Sequence, residues 1–102
     1  MELTPQQVSS RTDEAQIIDV RETEELVDGM IHGALHIPLG LISERHTALD
    51  LARPVIVVCR SGRRSAAAAE HLAQAGFDAH TMEGGMLEWA AQGLPMDLPR
   101  AP

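Results

Sequence analysis

The apolar positions of this chain come in short blocks whose periodicity switches repeatedly between that of a strand and that of a helix. The most apolar block, Val55-Ile56-Val57-Val58, has no polar alternation. Such a run suits a central strand covered on both faces, the usual state of a parallel sheet between helices. Ile17-Ile18-Asp19-Val20 reads as another strand, Ala34-Leu35-His36-Ile37, closed by Pro38, as a further one, and Ala79 to Met82 as the last. Helical stretches lie between them. Thr4-Pro5-Gln6-Gln7 offers Thr as N-cap, Pro at the first helical position and Gln three residues after the cap, predicting a short helix to about Ser9. Glu22 to Val27 is rich in acids, as a first helical turn prefers, and Gly29 can end it. Leu41 to Leu49 is a weaker helical stretch. From Ser65 to Ala75 the residues are almost all strong helix formers, with Ala66, Ala67, Ala69 and Ala73 small enough to let the helix lie close on a sheet, and Gly76 stops it. Glu83-Gly84-Gly85 reads as a turn and Met86 to Gln92 as a final helix with Gly93 and Pro95 behind it; the tail from Met96 is expected to fray.

Strands alternating with helices at this spacing predict an α/β fold: an open, mostly parallel sheet of about five short strands with helices on both faces, joined by right-handed crossovers. The 102 residues suit one domain, with a core over about residues 4–95 and a C-terminal tail over 96–102. In such sheets ligands bind just beyond the carboxyl ends of the strands, and Cys59 follows Val58 at that place.

Composition sharpens this. Cys59 is the single cysteine, so neither an intrachain disulfide nor a cysteine cluster for zinc or iron–sulfur can form, and the thiol is either packing or chemistry. Met1-Glu2-Leu3-Thr4-Pro5 carries no basic segment or apolar run of a secretory signal, and no apolar stretch is long enough to span a bilayer; the expectation is a cytoplasmic protein without a membrane partner. A formal charge of −7 argues against nucleic acid as a partner. Lys is absent, yet three of the eight basic residues, Arg60, Arg63 and Arg64, crowd behind Cys59. An Arg-rich turn alone is ordinary solvated surface; beside the lone thiol it suggests a small anion as ligand.

Cys59-Arg60-Ser61-Gly62-Arg63-Arg64 reads as a tight turn from a buried strand into the first turn of a helix, with Gly62 permitting the curvature. Amides curled in this way, together with the helix dipole, make an anion site, and the nearest anion is the Cys59 sulfur. A cysteine at a helix N-terminus among arginines is expected to have a lowered pKa and a useful thiolate fraction. The alternative is a buried, inert packing cysteine.

The segment Cys59-Arg60-Ser61-Gly62-Arg63-Arg64-Ser65 resembles the active-site loop of the rhodanese family: Cys, two variable residues, Gly, one variable residue, Arg, then Ser or Thr. Other landmarks fall in the same order. Asp19-Val20-Arg21 resembles the Asp-x-Arg after the first strand, Gly29 to Pro38 the Gly-His-Ile-Pro-Gly-Ala segment with its following Ile-Pro, and Glu83-Gly84-Gly85-Met86-Leu87-Glu88-Trp89 the closing Gly-Gly and Trp; Gly93-Leu94-Pro95 also fits. The likeness covers residues 4 to 95, with a departure at Met30-Ile31-His32, where the family often has His-Ile-Pro. It implies a rhodanese-like fold and a sulfurtransferase in which Cys59, as persulfide, carries sulfane sulfur from a small anionic donor such as thiosulfate to cyanide, a thiol or an acceptor protein. Ping-pong kinetics follow, and neither a metal nor an organic cofactor is required.

Within the expected substrate-binding loop, Arg60, Ser61, Gly62, Arg63 and Arg64, we choose Arg60 and Arg63 to steer the donor, because guanidinium matches oxyanions with a planar fork. Arg64, at the loop's last position, can instead be structural. Asp19 is then either its ion-pair partner or the cap of the next turn. Arg60 leans toward thiosulfate or a persulfide donor, since mercaptopyruvate-using relatives usually carry small residues after Cys. The rivals are a cysteine phosphatase and a noncatalytic carrier or protein-interaction module of the same fold. The phosphatase loop has five residues between Cys and Arg, whereas four separate Cys59 from Arg64 and Ser65 stands where that Arg would be. His32 and His36, four apart across a strand, do not suggest a metal pair; His46, His71 and His80 read as surface or packing, and Trp89 as the anchor of the last helix.

Overall fold

The computed structural model describes residues 1–98. Its centre is a five-stranded, wholly parallel sheet of β1 (Glu2–Leu3), β2 (Gln16–Asp19), β3 (Leu35–His36), β4 (Val55–Val58) and β5 (Ala79–Met82), in the order β1-β5-β4-β2-β3. The uninterrupted apolar run of β4 takes the middle place, paired with β2 from Gln16↔Val55 to Asp19↔Val58 and with β5 on its other side, and all four of its residues are buried. Strand alternation sends Val55 and Val57 to one face and Ile56 and Val58 to the other. β1 escapes a periodicity reading because two residues show no period; its pairing with β5 defines it.

One face is covered by α3 (Arg63–Gln74) and the short α2 (Ile42–Arg45), the other by α1 (Pro5–Ser9) and α4 (Gly85–Ala91). α1 starts as its residues dictate: the Gln7 amide donates to Thr4 Oγ1 at 3.2 Å, the Thr4 amide donates to Gln7 Oε1 at 2.9 Å, and Pro5 occupies the first turn. α3 buries Ser65, Ala68, Ala69 and Leu72, a stripe at helical spacing. Of the alanines expected on the sheet only Ala69 lies there; Ala66, Ala67 and Ala73 face solvent, and Ala68 takes the close-packed place. α4 is fixed by Trp89, 1% exposed, whose Nε1 donates to the Pro95 carbonyl at 3.0 Å.

Two predicted helices are broken up. Thr23–Asp28 forms a 3₁₀ helix with no buried residue, so no apolar face pays for a full α-helix, and Arg21 draws the Glu25 and Gly29 carbonyls to its guanidinium at 3.2 and 2.8 Å. The 41–49 stretch resolves into α2 between 3₁₀ turns Leu39–Leu41 and His46–Ala48, held by the buried Ile42 and Leu49 with Leu39 and Leu41 partly buried beside them. Of the tail expected to fray from Met96, the described part returns to Met30, exchanging main-chain bonds of 2.9 and 2.8 Å between Met30 and Asp97, and 99–102 lie outside the described residues. No helix among the described residues is long and apolar enough to cross a membrane.

Candidate active site

β4 delivers Cys59 to the carboxyl end of the sheet, and the chain turns at once into α3. The turn needs Gly62, the N-cap of α3, whose φ of +115° is costly for any residue with a Cβ. In this conformation the Gly62 amide donates to Cys59 Sγ at 3.0 Å, and Ser65, one turn into α3, brings its hydroxyl oxygen to 3.5 Å from the sulfur. The same hydroxyl donates to the Gly62 carbonyl at 3.0 Å. With its single proton so used, Ser65 can accept from the protonated thiol; once the sulfur is ionised, rotation of the hydroxyl supplies it with a donor instead.

Cys59 is 1% exposed, and burial is the largest influence on its thiol, pushing the pKa up. The Ser65 hydroxyl and the main-chain N–H groups of Ser65, Gly62 and Ser61 oppose it, and together they carry the thiol below its ordinary value. The sulfur thus lies in the hydrophobic core and is met there by polar groups of its own loop.

The outer side of the loop is held by α4. The Met86 amide donates to the Cys59 carbonyl at 2.8 Å and the Leu87 amide to the Arg60 carbonyl at 3.0 Å. That approach requires Gly85: a Cβ there would lie 2.5 Å from the Arg60 carbonyl oxygen and 2.6 Å from that of Cys59.

The arginines separate into two kinds. Arg64 is committed to Glu25 of the 3₁₀ segment through a two-pronged pair, 2.5 Å from Nη1 to Oε2 and 2.7 Å from Nη2 to Oε1. Its fork holds the Glu25 carboxyl at about 2, well below the ordinary 4.5, while Glu25 raises Arg64 in turn. Arg60 and Arg63 are exposed and make no ion pair among the described residues. Arg60 borders a cleft of about 290 Å³ beside the loop, which Arg63 does not line.

Asp19 does not pair with Arg64. Completely buried, it accepts from Arg21 Nε at 3.0 Å and Nη2 at 2.8 Å, and its Oδ1 also accepts the Arg21 amide at 3.1 Å. The turn-capping alternative holds, joined to an ion pair with the residue two positions on. The reason is reach: Arg21 folds back over the end of β2, whereas Arg64, at the start of α3, points to the 3₁₀ segment. His32 pairs with Asp97 and His36 bonds the Arg21 carbonyl, so the two rings serve different partners.

The contacts of three contributors escaped the sequence reading, although Ser65 and the Gly-Gly stood in its motifs. Ser65 carried a signal, since it heads the buried stripe of α3; the Gly84-Gly85 doublet marked a close approach but not its target; Glu25 carried none, being one acid among many.

Residues 4–92 match the family model described as Rhodanese-like domain. The chain is similar to YtwF of Bacillus subtilis, 41% identical over 83 residues that cover 81% of each chain. It is also similar to thiosulfate sulfurtransferase GlpE of Pseudomonas aeruginosa strain PAO1, at 35% over 89 residues, 85% of this chain and 81% of the other. A rhodanese-related protein from Thermoplasma volcanium superposes with a TM-score of 0.92 at 32% identity, covering 96% of this chain and 98% of that one. Sulfur loop, parallel sheet and these likenesses together place the chain in the rhodanese-like family, whose members among its relatives are named sulfurtransferases.

Proposed function

We propose that this protein is a thiosulfate sulfurtransferase working through a persulfide on Cys59. The Cys59 thiolate attacks the outer sulfur of thiosulfate; an S–S bond forms to Sγ, the bond to the sulfonate sulfur breaks, and sulfite leaves with its electron pair. Cyanide or a thiolate then takes the outer sulfur and the Cys59 thiolate is restored, so that no external oxidant or reductant enters. Arg60 and Arg63, without an ion pair among the described residues, steer the dianion to the loop, while the amides of Ser61 and Gly62 hold negative charge on sulfur in both half-reactions. Arg64 and Asp19 act at a distance, bracing the loop and the end of β2.

The observation that carries this reading is the Gly62 amide 3.0 Å from Sγ on a thiol whose pKa is lowered despite burial. The inward turn of the Ser65 hydroxyl, at the place where a phosphatase loop would need an arginine, favours sulfur over phosphate as the guest. Intact-mass measurement after thiosulfate treatment tests it. The native chain gains one sulfur atom, released by cyanide as thiocyanate, and Cys59→Ser gains none; a native chain that stays unmodified under the same treatment overturns the reading.

A further inference from the structure

The cleft beside the loop is too large for thiosulfate or cyanide alone. Its volume of about 290 Å³ approaches the lower bound, about 300 Å³, of cavities that take organic ligands. One wall is the first two turns of α4, presenting Met86, Leu87 and Ala90; Met96, returning after Pro95, continues it. Leu87 is half exposed, an apolar side chain that the fold leaves uncovered at this spot.

The cysteine loop contributes Arg60 to the lining, and the Arg60 carbonyl is tied to the Leu87 amide. Met96 lies against Gly29, and Asp28 adjoins it. Of the four charged side chains on the lining, Arg21 is bound to Asp19 and Glu25 to Arg64. Arg60 and Asp28 are exposed and have no ion-pair partner among the described residues. The free groups are thus a cation on the residue that follows Cys59 and an anion on Asp28, with the apolar side chains of Met86, Leu87, Ala90 and Met96 on the same lining.

We infer that the cleft seats the sulfur acceptor, and that this acceptor is an aliphatic aminothiol: thiolate toward Arg60, methylenes along Leu87, Ala90 and Met96, ammonium at Asp28. The inference rests on the sulfur-transfer reading and names the acceptor class for it. The acceptor thiolate attacks the outer sulfur of the Cys59 persulfide, a new S–S bond forms in the acceptor, the bond to Sγ breaks, and Cys59 leaves as thiolate. The product is the acceptor persulfide, and the electrons balance without a co-reactant.

The test follows the second half-reaction of persulfide-loaded protein with two thiol series of increasing length, ω-mercaptoalkylamines and ω-mercaptoalkanoates, with rates expressed per thiolate. Loading by mass and cyanide turnover are measured alongside; failure there sinks the sulfur-transfer reading itself. Given loading, kcat/KM for the amines rises about threefold per methylene until the cleft is filled, somewhat below the fourfold of a fully buried methylene. Amines outpace carboxylates of equal length by about fivefold at low salt, and the margin shrinks as salt screens it. Asp28→Asn removes the preference for amines and keeps the length dependence; Ala90→Glu, which sets a carboxylate on the exposed apolar wall, flattens the length dependence. Rates independent of length, or carboxylates equal to amines, in the native protein overturn the inference, as does an amine preference that survives Asp28→Asn.

Discussion

Replacing Glu25 by Gln removes one charge from the bond between the 3₁₀ segment and the first turn of α3 while keeping the shape of the side chain. A carboxyl held at about 2 in the fold rather than at the ordinary 4.5 corresponds to at most about 3.4 kcal/mol of stabilisation. Both partners retain access to solvent, 32% for Arg64 and 26% for Glu25, so screening and side-chain entropy reduce the expected loss to about 1–2 kcal/mol at pH 7. The sign follows from the depressed folded value. The stabilisation is fully present above the unfolded carboxyl value near 4.5 and is lost as pH falls toward 2, where a protonated Glu25 comes to resemble the Gln that replaced it. Urea unfolding followed by the fluorescence of Trp89, the single, buried tryptophan, reads the difference. The gap between native and Glu25→Gln proteins should be constant from pH 7 to about 5 and close by about half near pH 3. Equal midpoints at pH 7, or a gap that widens on acidification, would refute this account of Arg64.

Ser65→Ala removes the hydroxyl that reaches the sulfur; iodoacetamide alkylation of Cys59 at pH 7 should slow about fivefold, the worth of one hydrogen bond of about 1 kcal/mol, with its pH profile moved upward and Ser65→Thr largely restoring the native rate. An unchanged alkylation profile in Ser65→Ala would show that the amides suffice. Gly85→Ala sets a methyl into the Arg60 and Cys59 carbonyls at a φ of +60° and should destabilise the fold by more than about 2 kcal/mol while also slowing alkylation. Gly33→Ala, at a φ of +81° with open space around it, supplies the control: about 1 kcal/mol in urea midpoints and no change in thiol reactivity, and equal losses from the two substitutions would dismiss the overlap.

What the sequence made readable was whatever is encoded by neighbours along the chain. The four apolar residues of β4 announced a doubly covered strand, Thr4 and Gln7 a capped helix, and Cys59 to Ser65 a loop whose amides converge, because in each case the interacting groups lie within one turn. Pairings between distant segments were not readable. Arg64 finds Glu25 across 39 positions, and nothing in the acidic stretch Glu22 to Glu25 singles out that carboxylate before the 3₁₀ segment is laid against α3. Asp19 went to Arg21 although Arg64 competes for the same role, since the choice depends on the distance across the end of the sheet and not on charge. The predicted helix at 22–27 failed for a related reason: its acids favour a first turn, but a helix that buries no side chain has no tertiary packing to extend it.

The smallest of the influences that lower the Cys59 pKa, the Ser61 amide, is set by such a distant contact. A trans peptide plane points its N–H and C=O in opposite directions. By accepting the Leu87 amide on the outer side, the Arg60 carbonyl obliges the Ser61 N–H of the same plane to face inward, where it lowers the pKa of Cys59. The Cys59 carbonyl, bound by Met86, orients the preceding peptide plane in the same way. Those donors come close enough only because Gly85 has no Cβ. The closing Gly-Gly and the cysteine loop, two separate motifs along the chain, therefore meet in one place, where the start of α4 grips the loop by two carbonyls and turns the Ser61 amide toward the sulfur.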